Sequence, residues 1–134
     1  MVIETDIQHI GTDEDPNGHY SEGDDANFSF ETTDTNDEEV DLSNISEAVW
    51  FFSHSKHNKS SIVEKTLTGG DITVDNDDGN LNKQSRVVVS ISGSDTDEYG
   101  GDEYYHELEI TDSAGSKETA SKGDFKIQPS PNDP

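Results

Sequence analysis

The chain has 134 residues and a formal net charge of -23, from 31 acidic and 8 basic side chains. Leu, Ile, Val and Phe make up about 19% of it, a share at which highly charged chains are usually disordered. No apolar run approaches the roughly 18 residues of a membrane-spanning helix. The absence of cysteine excludes disulfides and zinc–thiolate sites. The acidity argues against nucleic acid or an anionic membrane as a partner, and the start, MVIETDIQHIG, does not resemble a secretory signal.

The apolar residues favour strands over helices. Ile and Val number 17, whereas Ala, Leu and Met together number 9, and β-branched side chains suit pleated strands. Short apolar runs separated by Gly, Asp, Asn and Ser predict eight strands, at residues 2–10, 27–33, 48–53, 61–67, 71–75, 86–92, 104–111 and 123–128. The first is expected to be an edge strand, and the third, AVWFFS, a central one. In the seventh, His106 shares a face with Leu108, which predicts a partly buried, hydrogen-bonded histidine.

The even spacing of these strands is typical of a β-sandwich or barrel. We predict an acidic N-terminal strand or arm and loop at residues 1–26, a sandwich domain at 27–128 and a Pro-rich tail at 129–134. Residues 112–117 are expected to form a hairpin turn between the last two strands. No window shows a sustained helical stripe. The nearest is LSNISEAV at residues 42–49, where Asp41 or Ser43 could cap one turn.

Three interpretations compete for the acidity: disorder, a cation sink, or adaptation to molar salt. The acids are spread through loops and outward strand positions, while Lys and Arg are scarce throughout. At about 1 M ionic strength the Debye length is roughly 3 Å, so that the charges hardly repel one another. At low salt the same charges would destabilise a small core. We therefore favour a protein of a halophile with a salt-rich cytoplasm.

One acidic loop resembles a calcium-binding pattern. In DEDPNGHYSEGD, residues 13–24, Asp13, Asp15 and Asn17 occupy positions 1, 3 and 5, and Asp24 occupies position 12. Position 12 lacks the usual bidentate Glu, and Pro16 stiffens the middle of the loop. Calcium or another cation is thus one candidate ligand and a solvated acidic turn is the alternative, and no cofactor is required.

A single basic window interrupts the acidic sequence. It comprises residues 53–65, with Glu64 as its one acid, and its candidate partner-binding residues are His54, Lys56, His57, Lys59 and Lys65. The window is open to three interpretations: a metal-binding H-x-x-H pair, a contact for an acidic neighbour such as another copy of this chain, or an exposed hairpin tip. The sequence contains no G-x-S-x-G, no H-E-x-x-H and no phosphate-binding glycine loop. We therefore expect no catalytic residues and no enzyme activity.

From residue 27 to residue 128 the order of features resembles the N-terminal domain of phage baseplate upper proteins. The entry DLSNISEAVWFF into an apolar strand, ITVDNDDGN before RVVVSISGSDTDEYGG, and the closing GGDEYYHELEITDSAGSKETASKGDFKIQ carry the resemblance, with NFSFETT as an earlier strand. The resemblance implies an all-β fold, a single immunoglobulin-like β-sandwich of about 7–8 antiparallel strands with acidic loops. Members of that family continue into a longer helical or receptor-binding region, so we expect a stand-alone version.

The resemblance also implies a function. It points to a non-enzymatic structural or adaptor protein of a tailed virus of a halophilic archaeon, docking on capsid, turret or baseplate in a symmetric assembly. Its partners would be other virion proteins and further copies of itself, with no nucleic acid and no membrane, and it would be located in the virion after assembly in the host cytoplasm. The outer face of the AVWFF strand and the basic residues 54–65 are the expected contacts. The alternatives are a host cell-surface module that binds glycan or protein, and an acidic calcium-binding protein.

Overall fold

The described part of the chain forms eight β-strands. The computed structural model describes residues 4–10, 20–33, 38, 40–75 and 84–129, with the backbone alone for residues 4–10 and without the side chain of Lys59. The strands are β1 (Glu4–Ile10), β2 (Ala26–Thr33), β3 (Glu47–Ser55), β4 (Asn58–Thr66), β5 (Ile72–Asp75), β6 (Arg86–Ile91), β7 (Asp102–Thr111) and β8 (Lys117–Ile127), with a single helical turn, α1 (Gly93–Thr96), between β6 and β7. No helix in the described part of the chain is long and apolar enough to cross a membrane.

The strands form two antiparallel four-stranded sheets. The first has the order β1-β2-β6-β5 and the second the order β4-β3-β7-β8. The chain passes from one sheet to the other between β2 and β3, between β4 and β5, and between β6 and β7. This is the strand arrangement of an immunoglobulin-like sandwich that has a fourth strand beside the usual three of the second sheet. The prediction of an immunoglobulin-like all-β sandwich is therefore confirmed.

Aromatic rings fill the space between the sheets. Phe125 of β8 lies at the centre, with ring centroids 5.0–6.3 Å from those of five neighbours. These neighbours are Tyr20, Phe28, Trp50, Phe52 and His106, and all of them are fully buried. Burying such a ring contributes about 1.5–3 kcal/mol relative to exposure. The sequence thus compensates for its small apolar share by placing its largest side chains in one cluster.

A buried histidine stands where many immunoglobulin domains have one cysteine of a disulfide, and it is hydrogen-bonded to a buried tryptophan. Trp50 lies buried on the third strand, and Tyr104, near the start of β7, donates a hydrogen bond back to the carbonyl oxygen of Tyr99 at 3.0 Å. Both features recur in the immunoglobulin fold, in which the residue two positions after that tyrosine is a cysteine. Here it is His106, whose Nδ1 accepts a hydrogen bond from Trp50 Nε1 at 3.3 Å and whose ring lies 6.5 Å from that of Phe30 on β2. The predicted hydrogen bond of His106 is confirmed, and the side chain is fully rather than partly buried.

The eight predicted strands correspond to the eight observed ones, with one large difference in length. β8 begins at Lys117, six residues before the predicted start, because it pairs with β7 directly after the turn at residues 112–116. Asp112 Oδ1 holds that turn by accepting hydrogen bonds from the backbone N–H groups of Ala114 and Ser116. The segment at residues 42–49 contains no helical turn, since it leads through a short turn into β3.

The carboxylate of Glu47 organises the turn that connects the two sheets after β4. Its Oε1 accepts hydrogen bonds from the backbone N–H groups of Ala48, Leu67 and Thr68 at 3.0–3.1 Å, and its Oε2 accepts one from Thr68 Oγ1 at 2.6 Å. Burial alone would raise the pKa of Glu47, but these hydrogen bonds hold it below the ordinary value.

Replacing Glu47 by Ala is expected to destabilise the protein by about 1–2 kcal/mol, because Thr68 and Leu67 lose a charged acceptor. Urea unfolding at high salt, followed by the fluorescence of Trp50, measures this. Asp97→Ala is the matched control, since Asp97 is exposed after α1 and its replacement removes the same charge. Equal destabilisation by the two variants would refute the role of Glu47 in the turn.

Candidate functional site

A depression opens at the end of the second sheet, beside the β3–β4 hairpin tip. Its volume is about 260 Å³, and it continues into a neighbouring depression of about 510 Å³. His54, Lys56 and His57 of the hairpin line one side, and Tyr105 and Asp124 line the other. Tyr105 and Asp124 are directly opposite each other in the β7–β8 pairing, so the sheet fixes their separation.

Two tyrosines are among the residues that line this depression. Tyr104 and Tyr105 are both buried, less than a tenth of each being exposed. Burial raises the pKa of both phenols, with the Asp102 carboxylate adding to the effect at Tyr104 and Glu107 adding to it at Tyr105. Both side chains therefore remain neutral hydrogen-bond donors at ordinary pH.

Two ammonium groups at the depression have no carboxylate partner among the described residues. Lys56 and Lys122 are exposed, and neither ammonium has a carboxylate within 4 Å in this part of the chain. A third, Lys126 Nζ on β8, lies 3.8 Å from Oε2 of Glu103. The lining thus combines ammonium, imidazole and phenol groups with the carboxylates of Glu103 and Asp124. The ammonium groups of Lys56 and Lys122 can bind carboxylates of another surface.

The outer face of the second sheet, next to the depression, carries apolar side chains. Trp50 and Phe52 point into the core, so that Val49 and Phe51, which alternate with them, lie on the opposite side. Val49 and Phe51 are half-buried and are not part of the core cluster. Carboxylates flank them on both neighbouring strands, since Phe51 is paired with Glu64 of β4 and with Glu107 of β7.

The residues of the predicted basic window lie in two separate parts of the structure. His54, Lys56 and His57 lie together at the hairpin tip and line the depression. Lys59 lies on β4, and its side chain is outside the described part of the structure. Lys65 lies at the other end of β4, opposite Trp50 in the strand pairing, and is directed away from the tip.

Lys65 has a structural partner. Its Nζ lies 2.9 Å from Asp95 Oδ2 in α1, and both side chains are largely buried. The same carboxylate oxygen accepts hydrogen bonds from the backbone N–H and the hydroxyl of Ser92, at 2.8 and 3.2 Å. Burial alone would raise the pKa of Asp95, but Lys65 and Ser92 together lower it. The ion pair therefore fastens the α1 turn to the edge of the second sheet.

Replacing Lys65 by Met is expected to destabilise the protein by about 2–4 kcal/mol, because Asp95 would remain largely buried without its counter-charge. Thermal unfolding by circular dichroism at high salt measures the loss. Lys117→Met, at an exposed position of β8, is the matched control and is expected to change stability by less than about 0.5 kcal/mol. A Lys65→Met protein as stable as the control would show that the pair contributes nothing.

One of the four candidate cation ligands, Asp24, is described. Asp13, Asp15 and Asn17 lie outside the described residues. The side chain of Asp24 is exposed, and its backbone carbonyl accepts a hydrogen bond from the Tyr20 hydroxyl at 2.7 Å. Within the described ranges, no three His, Asp or Glu side chains are placed to hold a metal ion.

The sequence did not single out the β7–β8 half of the site. Tyr105, Lys122 and Asp124 complete the depression, but they are separated from the basic window by 40 residues or more. The alternation in residues 104–111 places Tyr105 on the outer face, and its partner Asp124 lies within the predicted last strand. Lys122 lies just before that predicted strand, and its place follows only from the pairing of β8 with β7. No family model matches the chain, and the comparison with curated proteins also found no match.

Proposed function

We propose that the protein is a non-enzymatic structural or adaptor component of a tailed virus of a halophilic archaeon. In this proposal it docks on the capsid, turret or baseplate as part of a symmetric assembly. The observation that carries the proposal is the correspondence between the resemblance and the fold. The segments that resemble baseplate upper proteins form five strands of one immunoglobulin-like sandwich, in the same order along the chain: NFSFETT lies in β2, AVWFF in β3, ITVD in β5, RVVVSI in β6 and YYHELEIT in β7.

The form of the candidate site supports a binding role. The depression is wide and shallow, and it continues into a sheet face that bears Val49 and Phe51. Phenol, imidazole and ammonium groups at a sheet end suit contact with another macromolecule, in which aromatic side chains at the centre and charges at the rim are the usual composition. A cell-surface module that binds glycan or protein would use the same surface, so that only the location of the protein separates the two functions.

The charge supports the salt-rich environment in the proposal. The chain carries 31 acidic side chains, and three ion pairs are seen in the described part of the structure, Lys65–Asp95, Arg86–Asp75 and Lys126–Glu103. With 8 basic side chains for 31 acidic ones, most carboxylates cannot have a basic partner of their own. Such a surface is compatible with a small sandwich core where salt screens the repulsion.

Mass spectrometry of virus particles, purified in molar salt from a host culture that produces this chain, tests the proposal. The chain is expected in the particle fraction, at a constant ratio to the major capsid protein through successive purification steps. Recovery in the envelope fraction of uninfected cells, with none in particles, would replace the virion function by the cell-surface alternative.

A further inference from the structure

The outer face of the second sheet carries opposite charges at its two edges. The residues paired across this face beside Phe51 are Glu64 on β4, Phe51 on β3, Glu107 on β7 and Lys122 on β8. Because paired residues of an antiparallel sheet share a face, these four side chains point in the same direction. An acid thus lies at the β4 edge and a base at the β8 edge, with Phe51 and Glu107 between them.

The charges at the hairpin end of this face have the reverse arrangement. Lys56 and His57 lie on the β3–β4 side, whereas Asp124 lies on the β8 side. A two-fold axis that runs along the strands, between β3 and β7, superposes the β8 edge of one copy on the β4 edge of another. Lys122 then faces Glu64 of the second copy, and Lys56 faces Asp124 of the second copy. This one operation brings each of these cations to a carboxylate.

We propose that a second copy of this chain packs on the outer face of the second sheet about this two-fold axis. The inference rests on the proposed function, for which it names the surface where copies meet. Other parts of the described surface offer a second copy mainly carboxylates, since the whole chain has a net charge of -23. At this face the attraction of opposite charges is combined with burial of Val49 and Phe51, which are half-buried in the single copy. Glu107, which the operation places opposite Phe51 of the second copy, is already buried and has Tyr105 as a hydrogen-bond partner.

The dimensions of the face suit such a contact. Four strands about 4.8 Å apart, each with about nine residues rising roughly 3.3 Å, cover roughly 500 Å² in projection. Side-chain relief brings the accessible area close to the roughly 800 Å² per partner of a standard interface. Molar salt strengthens the burial of Phe51 and Val49, and ion pairs enclosed at the contact are screened less than exposed ones.

Sedimentation equilibrium in about 2 M KCl tests the proposal on the whole chain. Wild type is expected to form a dimer. Lys122→Glu and Glu64→Lys are each expected to weaken it by at least about tenfold, because each places like charges opposite one another. The double variant restores opposite charges with the wild-type net charge, and it is expected to dimerise within about threefold of wild type. Lys117→Glu is the matched control, because it changes the charge of the same strand by the same amount at an exposed position away from this row.

Circular dichroism of each variant shows that it is folded before its mass is compared. A wild-type protein that stays monomeric up to about 1 mM overturns the proposal. It is also overturned by a dimer that Lys117→Glu weakens as much as Lys122→Glu, or by a double variant that remains monomeric. These outcomes leave the virion function intact, since the chain could still be found in purified particles. Conversely, if the chain were absent from particles, the virion function would fail, but a dimer measured by sedimentation would still support the proposed contact.

Discussion

Dialysis to less than about 0.5 M salt is expected to unfold the protein, and restoring the salt is expected to refold it. The reason is the imbalance between the size of the core and the charge around it. The core is one aromatic cluster between two small sheets, whereas the chain has a net charge of -23 in 14.7 kDa. Such a core leaves a margin of only a few kcal/mol. The mutual repulsion of unpaired carboxylates is of that order once the Debye length grows to about 10 Å.

Circular dichroism in the β-sheet region and the fluorescence of Trp50 measure this transition as a function of KCl. Sucrose at equal osmolality is the control, because it promotes burial of apolar groups but does not screen charge. Neutralising Asp97, Glu98 and Asp102 together, as Asn, Gln and Asn, is expected to move the midpoint to lower salt. A cooperative fold retained at about 50 mM salt would remove the interpretation of the charge as an adaptation to salty solvent.

Lowering the pH from about 7.5 to 4.5 at constant high salt is expected to reduce the free energy of unfolding by about 2.5 kcal/mol through His106 alone. Burial lowers the pKa of His106 from 6.5 to about 4, and Asp124 only partly opposes this effect. Its Nδ1 faces the Trp50 N–H donor, and its Nε2 has no hydrogen-bond partner in the described structure. A proton on Nδ1 would therefore place two donors against each other at a fully buried position.

The sign follows from where each state binds the proton. Between pH 6.5 and about 4 the unfolded chain is protonated at His106 and the folded chain is not. Stability is therefore complete above pH 6.5 and falls as the pH decreases through this range. Glu47 and Asp95 act at lower pH, because their folded pKa values lie below the ordinary carboxylate values of 4.5 and 3.8. A lower limit of about pH 4.5 thus isolates most of the histidine effect.

Urea unfolding in about 2 M KCl at several pH values measures the effect, with molar salt suppressing the contribution of surface carboxylates. His106→Gln is expected to remove most of the pH dependence, because the amide oxygen can accept the Trp50 hydrogen bond and does not titrate. His54→Gln, at an exposed position, is expected to keep the wild-type slope. Parallel slopes for His106→Gln and wild type would show that another group causes the acid sensitivity.

The strand pattern could be predicted because, on several strands, one face packs in the core and the other carries polar side chains. On β7, for example, Leu108 and Ile110 alternate with Glu107 and Glu109. The runs rich in Ile and Val are separated by Gly, Asp and Asn, which indicate the turns. The start of β8 could not be predicted from apolar pattern, because KETASK contains one apolar residue, Ala120. Backbone pairing with β7 extends this strand regardless of its side chains.

The candidate site was predicted in part, for a related reason. The hairpin cluster of His54, Lys56 and His57 is contiguous in sequence, so that composition alone locates it. Lys65 belongs to the same stretch of sequence, but it lies near the end of β4 that is remote from the tip. At that end its ammonium is paired with Asp95. Asp95 and Lys122 come to their places through pairings between distant segments, and these follow from the topology rather than from local sequence.

Cross-linking mass spectrometry of intact, purified virus particles tests the central claim most directly, because it reports both location and contacts. With a lysine-reactive reagent, the account predicts cross-links from Lys56 or Lys122 to another virion protein or to a second copy of the chain. Lys117, exposed away from these contacts, serves as the internal comparison and is expected to give fewer cross-links between chains. Particles that contain no trace of the chain, while host cells retain it, would contradict the account.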